Sequence, residues 1–240
     1  MPIEIVIEPI SLEDLRRMAR EQFGDFVKAV VDVGRSLMAV GGELHADEEA
    51  ALLEHGACQA DLWGINIYPD QAGPDRIEFD SMINVRPAHG NRTRAVDDPA
   101  VRQLIADTVD RLSVLEQHVV WSARDSGGLM QASPGHAGLA AGGWSRLSLA
   151  EQLGNVGSEV GRLRRWRGRD EGLAERAFHR ALELLDLTLD DPRWRGRLKE
   201  IARARELLCD AALGGGQYDT TLEGMDRYFL QFAVAARRCR

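Results

Sequence analysis

Hydrophobic and polar positions alternate with clear changes of period along the chain, and those changes predict its elements. Ile3–Ile7 alternates around Glu4 and reads as a short strand. Ser11-Leu-Glu-Asp14 has the form of a helix start, followed at helical spacing by Leu12, Leu15, Met18, Ala19 and Phe23, with Gly24 as the stop. Val27–Val33 and Ser36–Val40 are β-branched runs separated by Gly34-Arg35, which predicts a hairpin. Asp47–His55 is a short helix stopped by Gly56. Leu62–Tyr68 and Arg76–Val85 read as two further strands around the turn-rich Pro69–Pro74. Residues 86–98 are a polar loop, and Asp98-Pro99 opens a helix carrying Val101, Leu104, Ile105, Thr108 and Leu112. The order β-α-β-β-α-β-β-α predicts an α+β fold with a small mixed or antiparallel sheet.

The pattern then breaks. Residues 122–143 are rich in glycine, alanine and serine without periodicity and read as a flexible linker. Beyond them the period is helical throughout. Ser148 with Glu151 starts one helix, Leu173–Leu185 forms a second, Asp191-Pro192 opens a third, and Thr220 with Glu223 caps a fourth. Four amphipathic helices with short connections predict a four-helix bundle. The expected organisation is an α+β domain over residues 1–121, a linker over 122–143 and a bundle over 144–240.

Charge sharpens this division. Residues 1–125 hold 12 Lys+Arg against 23 Asp+Glu, whereas residues 126–240 hold 18 against 15. The first part should repel nucleic acid on average. Lys28 and Lys199 are the only lysines. No apolar run reaches the length of a membrane span, and the acidic N-terminus does not have the form of a signal peptide. The three cysteines, Cys58, Cys209 and Cys239, are widely spaced and odd in number, which fits a reducing cytoplasm.

Candidate chemistry concentrates in residues 41–94. His45 and Glu49 are four apart, with Glu43 and Asp47 beside them, so a helix starting near His45 would align a histidine with carboxylates. That set could hold a divalent metal, with His45 and Glu49 as ligands, or let His45 and Asp47 act in acid–base catalysis. The competing reading is a histidine that pins a loop by hydrogen bonding. As a strand, residues 76–85 would place Asp80 and Asn84 on one face, where they could join Glu43 and His45. Arg86, Arg92 and Arg94 around Gly90-Asn91 could hold an anion, or pair with the acids. Trp63 and Asn66 lie on the Leu62–Tyr68 strand, as ligand contacts or as core. The expected site is therefore catalytic His45, Asp47 and Asp80 with ligand-binding Glu43, Trp63, Asn66, Asn84, Arg86, Asn91 and Arg92. Arg162, Arg164 and Arg165, flanking Trp166, form a basic patch suited to nucleic acid or to a solvated helix end.

Gly-Gly-Glu-Leu-His-Ala-Asp-Glu-Glu at 41–49, Asp-Leu-Trp-Gly-Ile-Asn at 61–66 and Ile-Glu-Phe-Asp-Ser-Met-Ile-Asn-Val-Arg-Pro at 77–87, with Gly90-Asn91-Arg92, resemble a small bacterial and archaeal family catalogued as domain of unknown function 5674. The resemblance covers residues 1–115 and implies no activity. Where that family reads Pro-Ser-Gln-Gly-Asn-Arg, this chain has Pro87-Ala88-His89-Gly90-Asn91-Arg92. Residues 144–237 resemble an uncharacterised helical group through Asn155-Val-Gly-Ser-Glu159 and Asp191-Pro-Arg-Trp194. In outline they are also similar to the HEPN helical-bundle proteins, some of which are toxin ribonucleases that use an arginine a few residues before a histidine. Here that spacing falls at Arg111 and His118, outside the bundle, which speaks against a ribonuclease.

The expected function is non-enzymatic binding or regulation, with a partner or second copy on the bundle and a toxin–antitoxin-like or defence role implied by the helical resemblance. A metal-assisted hydrolase and a nucleic-acid binder are the alternatives.

Overall fold

A computed structural model describes residues 2–114, 143–214 and 216–238. The described residues fall into two compact units: one holds the residues through Asn84 and 93–114, the other Val85–Arg92 with the helices after residue 143. Most of the expected linker lies outside the described residues.

The first unit is α+β. Its elements are β1 (Glu4–Val6), β2 (Ile10–Ser11), α1 (Leu12–Gln22), β3 (Val27–Asp32), β4 (Leu37–Val40), α2 (His45–Glu54), β5 (Leu62–Ile67), β6 (Ile77–Glu78), α3 (Pro99–Leu112) and β7 (Ser113–Val114). Five strands form an antiparallel sheet in the order β1-β4-β3-β5-β6. β2 and β7, which the sequence pattern did not announce, pair in parallel as a separate two-stranded ribbon.

The sheet is buried on both faces, because β3, β4 and β5 have every residue buried. Alternation separates the faces. Val27, Ala29 and Val31, Met38 and Val40, and Trp63, Ile65 and Ile67 meet Leu15 and Met18 of α1 and Ile105, Val109 and Leu112 of α3 in one apolar core. Lys28, Val30, Asp32, Gly64 and Asn66 point to the opposite face, the side on which α2 packs. Ser11 starts α1 as its Oγ accepts from the Asp14 N–H, and Asp98 caps α3 through the Ala100 N–H.

The strand expected over residues 76–85 stops at Glu78. Asn84 explains why. Its Oδ1 accepts from the Gly64 N–H at 2.8 Å and its Nδ2 donates to the carbonyls of Gly64 and Arg94 at 2.9 Å each. One side-chain amide thus satisfies the edge of β5 where another strand would have run. Ser81 packs where a Cβ on Gly64 would sit, so the glycine permits the close approach. Met82–Asn84 forms a 3-10 turn, and strand alternation does not apply to Asp80, Met82 and Asn84.

The second unit contains α4 (Leu149–Trp166), α5 (Glu171–Leu189), α6 (Leu198–Leu213) and α7 (Leu222–Arg238). Ser148 and Glu151 form a reciprocal capping box. α4 packs on both α5 and α7. Its close approach to α7 depends on glycine: a Cβ at Gly157 would lie 2.8 Å from the Phe229 Cβ. The Asp191-Pro192 start opens a 3-10 segment, Pro192–Arg197, before α6 begins. At α7 the capping hydroxyl belongs to Thr221, which accepts from the Gly224 N–H, and not to Thr220 as the sequence suggested.

Within this unit Val85–Arg92 is a closed loop. Arg86 and Asn91 exchange backbone hydrogen bonds, and Gly90 takes a φ of +85°, which favours glycine. The fully buried Arg205 holds it, with Nε on Asp186 Oδ1 at 2.6 Å and a terminal N–H on the Val85 carbonyl at 2.8 Å.

Candidate functional site

The polar residues of the first unit meet on the α2 face of the sheet. His45 begins α2 and is 3% exposed. Its Nε2 lies 2.8 Å from the Ile65 carbonyl, which can only accept, so Nε2 carries the proton and Nδ1 the lone pair. Burial, and then the positive charge of Lys28, bring the His45 pKa down to about 3; Arg94 acts in the same direction. The imidazole is therefore neutral across the physiological range and a poor base.

Lys28 and Asn66 are direct cross-strand partners, and Asn66 pairs in turn with Glu78 on β6. Asn66 Nδ2 donates to Glu78 Oε2 at 2.8 Å, and the Tyr68 hydroxyl donates to the same oxygen at 3.1 Å. Burial and the Glu78 carboxylate push the Tyr68 phenol up to about 12. Arg94 donates to Asp80 Oδ2 at 2.7 Å. Arg94 thus links His45 and Asp80, being paired with one and near enough to shift the other.

The expected site residues divide accordingly. His45, Asn66 and Asp80 lie around this face. Asn84 completes the β5 edge, and Trp63 belongs to the apolar core on the other face. Asp47 is buried in the first turn of α2, and Glu43 is exposed ahead of it. Glu49 is fully buried and accepts from Gln59 Nε2 at 3.3 Å, while Glu48 accepts from the Gly42 N–H at 3.0 Å. Among the described residues no three His, Cys, Asp or Glu side chains gather as a metal site, so the pairing of His45 with Glu49 has no third donor of these types. Arg86, Asn91 and Arg92 belong to the helical unit; Arg86 is fully buried, and Arg92 faces Glu175 at 3.9 Å.

The basic patch is largely neutralised. Arg162 pairs with Glu159, and Arg164 Nε with Asp226 of α7 at 2.8 Å; Arg165 is exposed.

Lys28 is a further candidate on this face that the sequence reading does not include. The signal was present: it is one of only two lysines and stands inside the apolar run of β3. A charge within such a run is seldom buried unless something pairs with it.

No helix among the described residues is long and apolar enough to cross a membrane. No curated protein and no solved structure matches the chain. Residues 4–112, which take in the sheet unit but its ends together with the Val85–Arg92 loop, match the model of a family described as "Protein of unknown function (DUF5674)".

Proposed function

We propose that this is a cytoplasmic, non-enzymatic binding protein of two modules. The sheet module takes a polar ligand on the face beneath the start of α2, and the helical module takes a protein partner or a second copy. The state of His45 carries this reading. Its Nε2 is committed to the Ile65 carbonyl and its pKa is held near 3, so it does not exchange protons near neutrality. The nearby carboxylates are likewise engaged, Asp80 with Arg94 and Glu78 with Asn66 and Tyr68. This is the chemistry of a fixed recognition surface, whereas acid–base catalysis needs groups that titrate close to the working pH.

On the helical side, Leu230 and Val234 are 59% and 42% exposed one turn apart on α7 and supply apolar contact area. The pairing of Arg162 with Glu159 and Arg164 with Asp226 weighs against nucleic acid as the principal partner. The ribonuclease-like role would need His118, which lies outside the described residues.

The reading is tested by following the thermal unfolding of the full chain across a panel of small polar ligands and divalent metals, alongside ester and phosphoester hydrolysis assays. Binding without turnover is expected. Metal-dependent hydrolysis that disappears in His45→Ala would overturn it in favour of the hydrolase.

A further inference from the structure

Three polar side chains on the α2 side of the sheet carry atoms without a partner, and their chemistry is complementary to one kind of ligand. Lys28 is 9% exposed, and its ammonium makes no hydrogen bond or ion pair among the described residues; only the Phe23 ring lies under it, 5.4 Å from the centroid. Asn66, directly across the strand pair, is 8% exposed. Its Nδ2 must face the Glu78 carboxylate, which can only accept, and this fixes Oδ1 as the buried atom left without a donor. Arg94 spends a terminal N–H on Asp80 and leaves Nε buried without an acceptor.

The Lys28 stem is buried, but Nζ is not among the buried atoms left without a partner, so the ammonium reaches solvent and stands there unpaired among the described residues. Here two guanidinium and ammonium donors and one amide acceptor stand open in the same module. The cations call for oxyanion oxygens, which charge-assisted hydrogen bonds hold strongly. The amide oxygen calls for an N–H or O–H. We infer that Lys28, Arg94 and Asn66 form a binding site for a small oxyanion that also bears a hydrogen-bond donor, such as hydrogen phosphate or a short hydroxy- or amino-carboxylate. The inference rests on the sheet module being a binding module and names its ligand class. His45 completes the surroundings as an uncharged ring.

Calorimetric titration of the full chain with inorganic phosphate, lactate and glycine, each against chloride at matched ionic strength, tests the assignment. Saturable binding of at least one oxyanion, and none of chloride, is expected; phosphate alone or the carboxylates alone would identify the source. Lys28→Met should weaken that binding at least about tenfold, the loss expected for one charge-assisted contact. Its ligand-free melting temperature should not fall, because methionine keeps the buried aliphatic stem and no ion pair is lost. If Lys28→Met does not fold, Arg94→Gln, at a partly exposed position, should weaken binding by a similar factor. Unchanged affinity in the folded variants, or no oxyanion binding at all, would overturn the assignment. A different ligand held without Lys28 would also overturn it, while leaving the binding reading intact; hydrolysis dependent on His45 would instead remove that reading.

Discussion

Both units bury arginine or lysine, but they treat the charge differently. In the helical unit Arg205 is fully enclosed and anchored by the Asp186 carboxylate and the Val85 carbonyl. In the sheet unit the stem of Lys28 is buried, while its ammonium reaches solvent with only the Phe23 ring beside it. Arg205 is tied to a protein carboxylate and stabilises the unit that contains it. Lys28 has no such tie, and the inferred oxyanion site rests on that difference. Burial alone does not distinguish structural from functional charge; the state of the partners does.

The sharpest way to probe the contrast is to remove the anchored charge. Arg205→Ala leaves Asp186 buried beside a cavity and should destabilise the helical unit by about 3–5 kcal/mol in urea unfolding. A loss no larger than that of a surface arginine would erase the distinction drawn here. Next comes Asn84→Leu, which strips partners from the Gly64 N–H and from two carbonyls. Each orphaned buried group costs about 1–3 kcal/mol, so with three of them the sheet unit should lose at least about 3 kcal/mol, with amide exchange rising first along β5.

His45 gives a smaller, pH-dependent effect. Its folded pKa lies near 3, below the ordinary value of 6.5. Between those values the unfolded chain binds a proton that the native state refuses, so stability falls as pH drops from about 6.5 toward 3. The slope from this one group is at most about 1.4 kcal/mol per pH unit. His45→Gln, whose amide can still donate to the Ile65 carbonyl, should flatten the pH profile of unfolding in that window; an unchanged profile would show that the ring is not held neutral. The smallest effect is expected for Arg164→Ala, which removes a half-exposed pair with Asp226 and should cost about 0.2–1 kcal/mol, less at high salt. A large salt-dependent loss of nucleic-acid affinity in that variant would instead revive the basic patch as an interface.

The period of the apolar residues carried most of the fold. The hairpin of β3 and β4, the helices α1 to α7 and the α+β order follow from alternation, helical spacing and caps such as Ser11, Asp98 and Ser148, all of which act within a few residues of chain. The candidate site was half visible: His45, Asn66 and Asp80 stood out as polar residues in an apolar setting. Lys28 does not stand out in the pattern because β3 reads as an ordinary buried strand. Asn84 reads as a strand-face residue because a side chain that imitates backbone pairing leaves no periodic trace.

Local physics thus settled which elements form and in what order, while some boundaries, such as the end of β6 at Glu78, waited on tertiary contacts. Whether a polar side chain is spent or open depended on contacts far apart in sequence: His45 on Ile65, Asn84 on Gly64 and Arg94, Lys28 facing Asn66, Arg205 on Val85. Such pairings exist only after the sheet has registered and the helices have packed, because desolvation and hydrogen-bond geometry are properties of the folded surroundings and of no single stretch of chain.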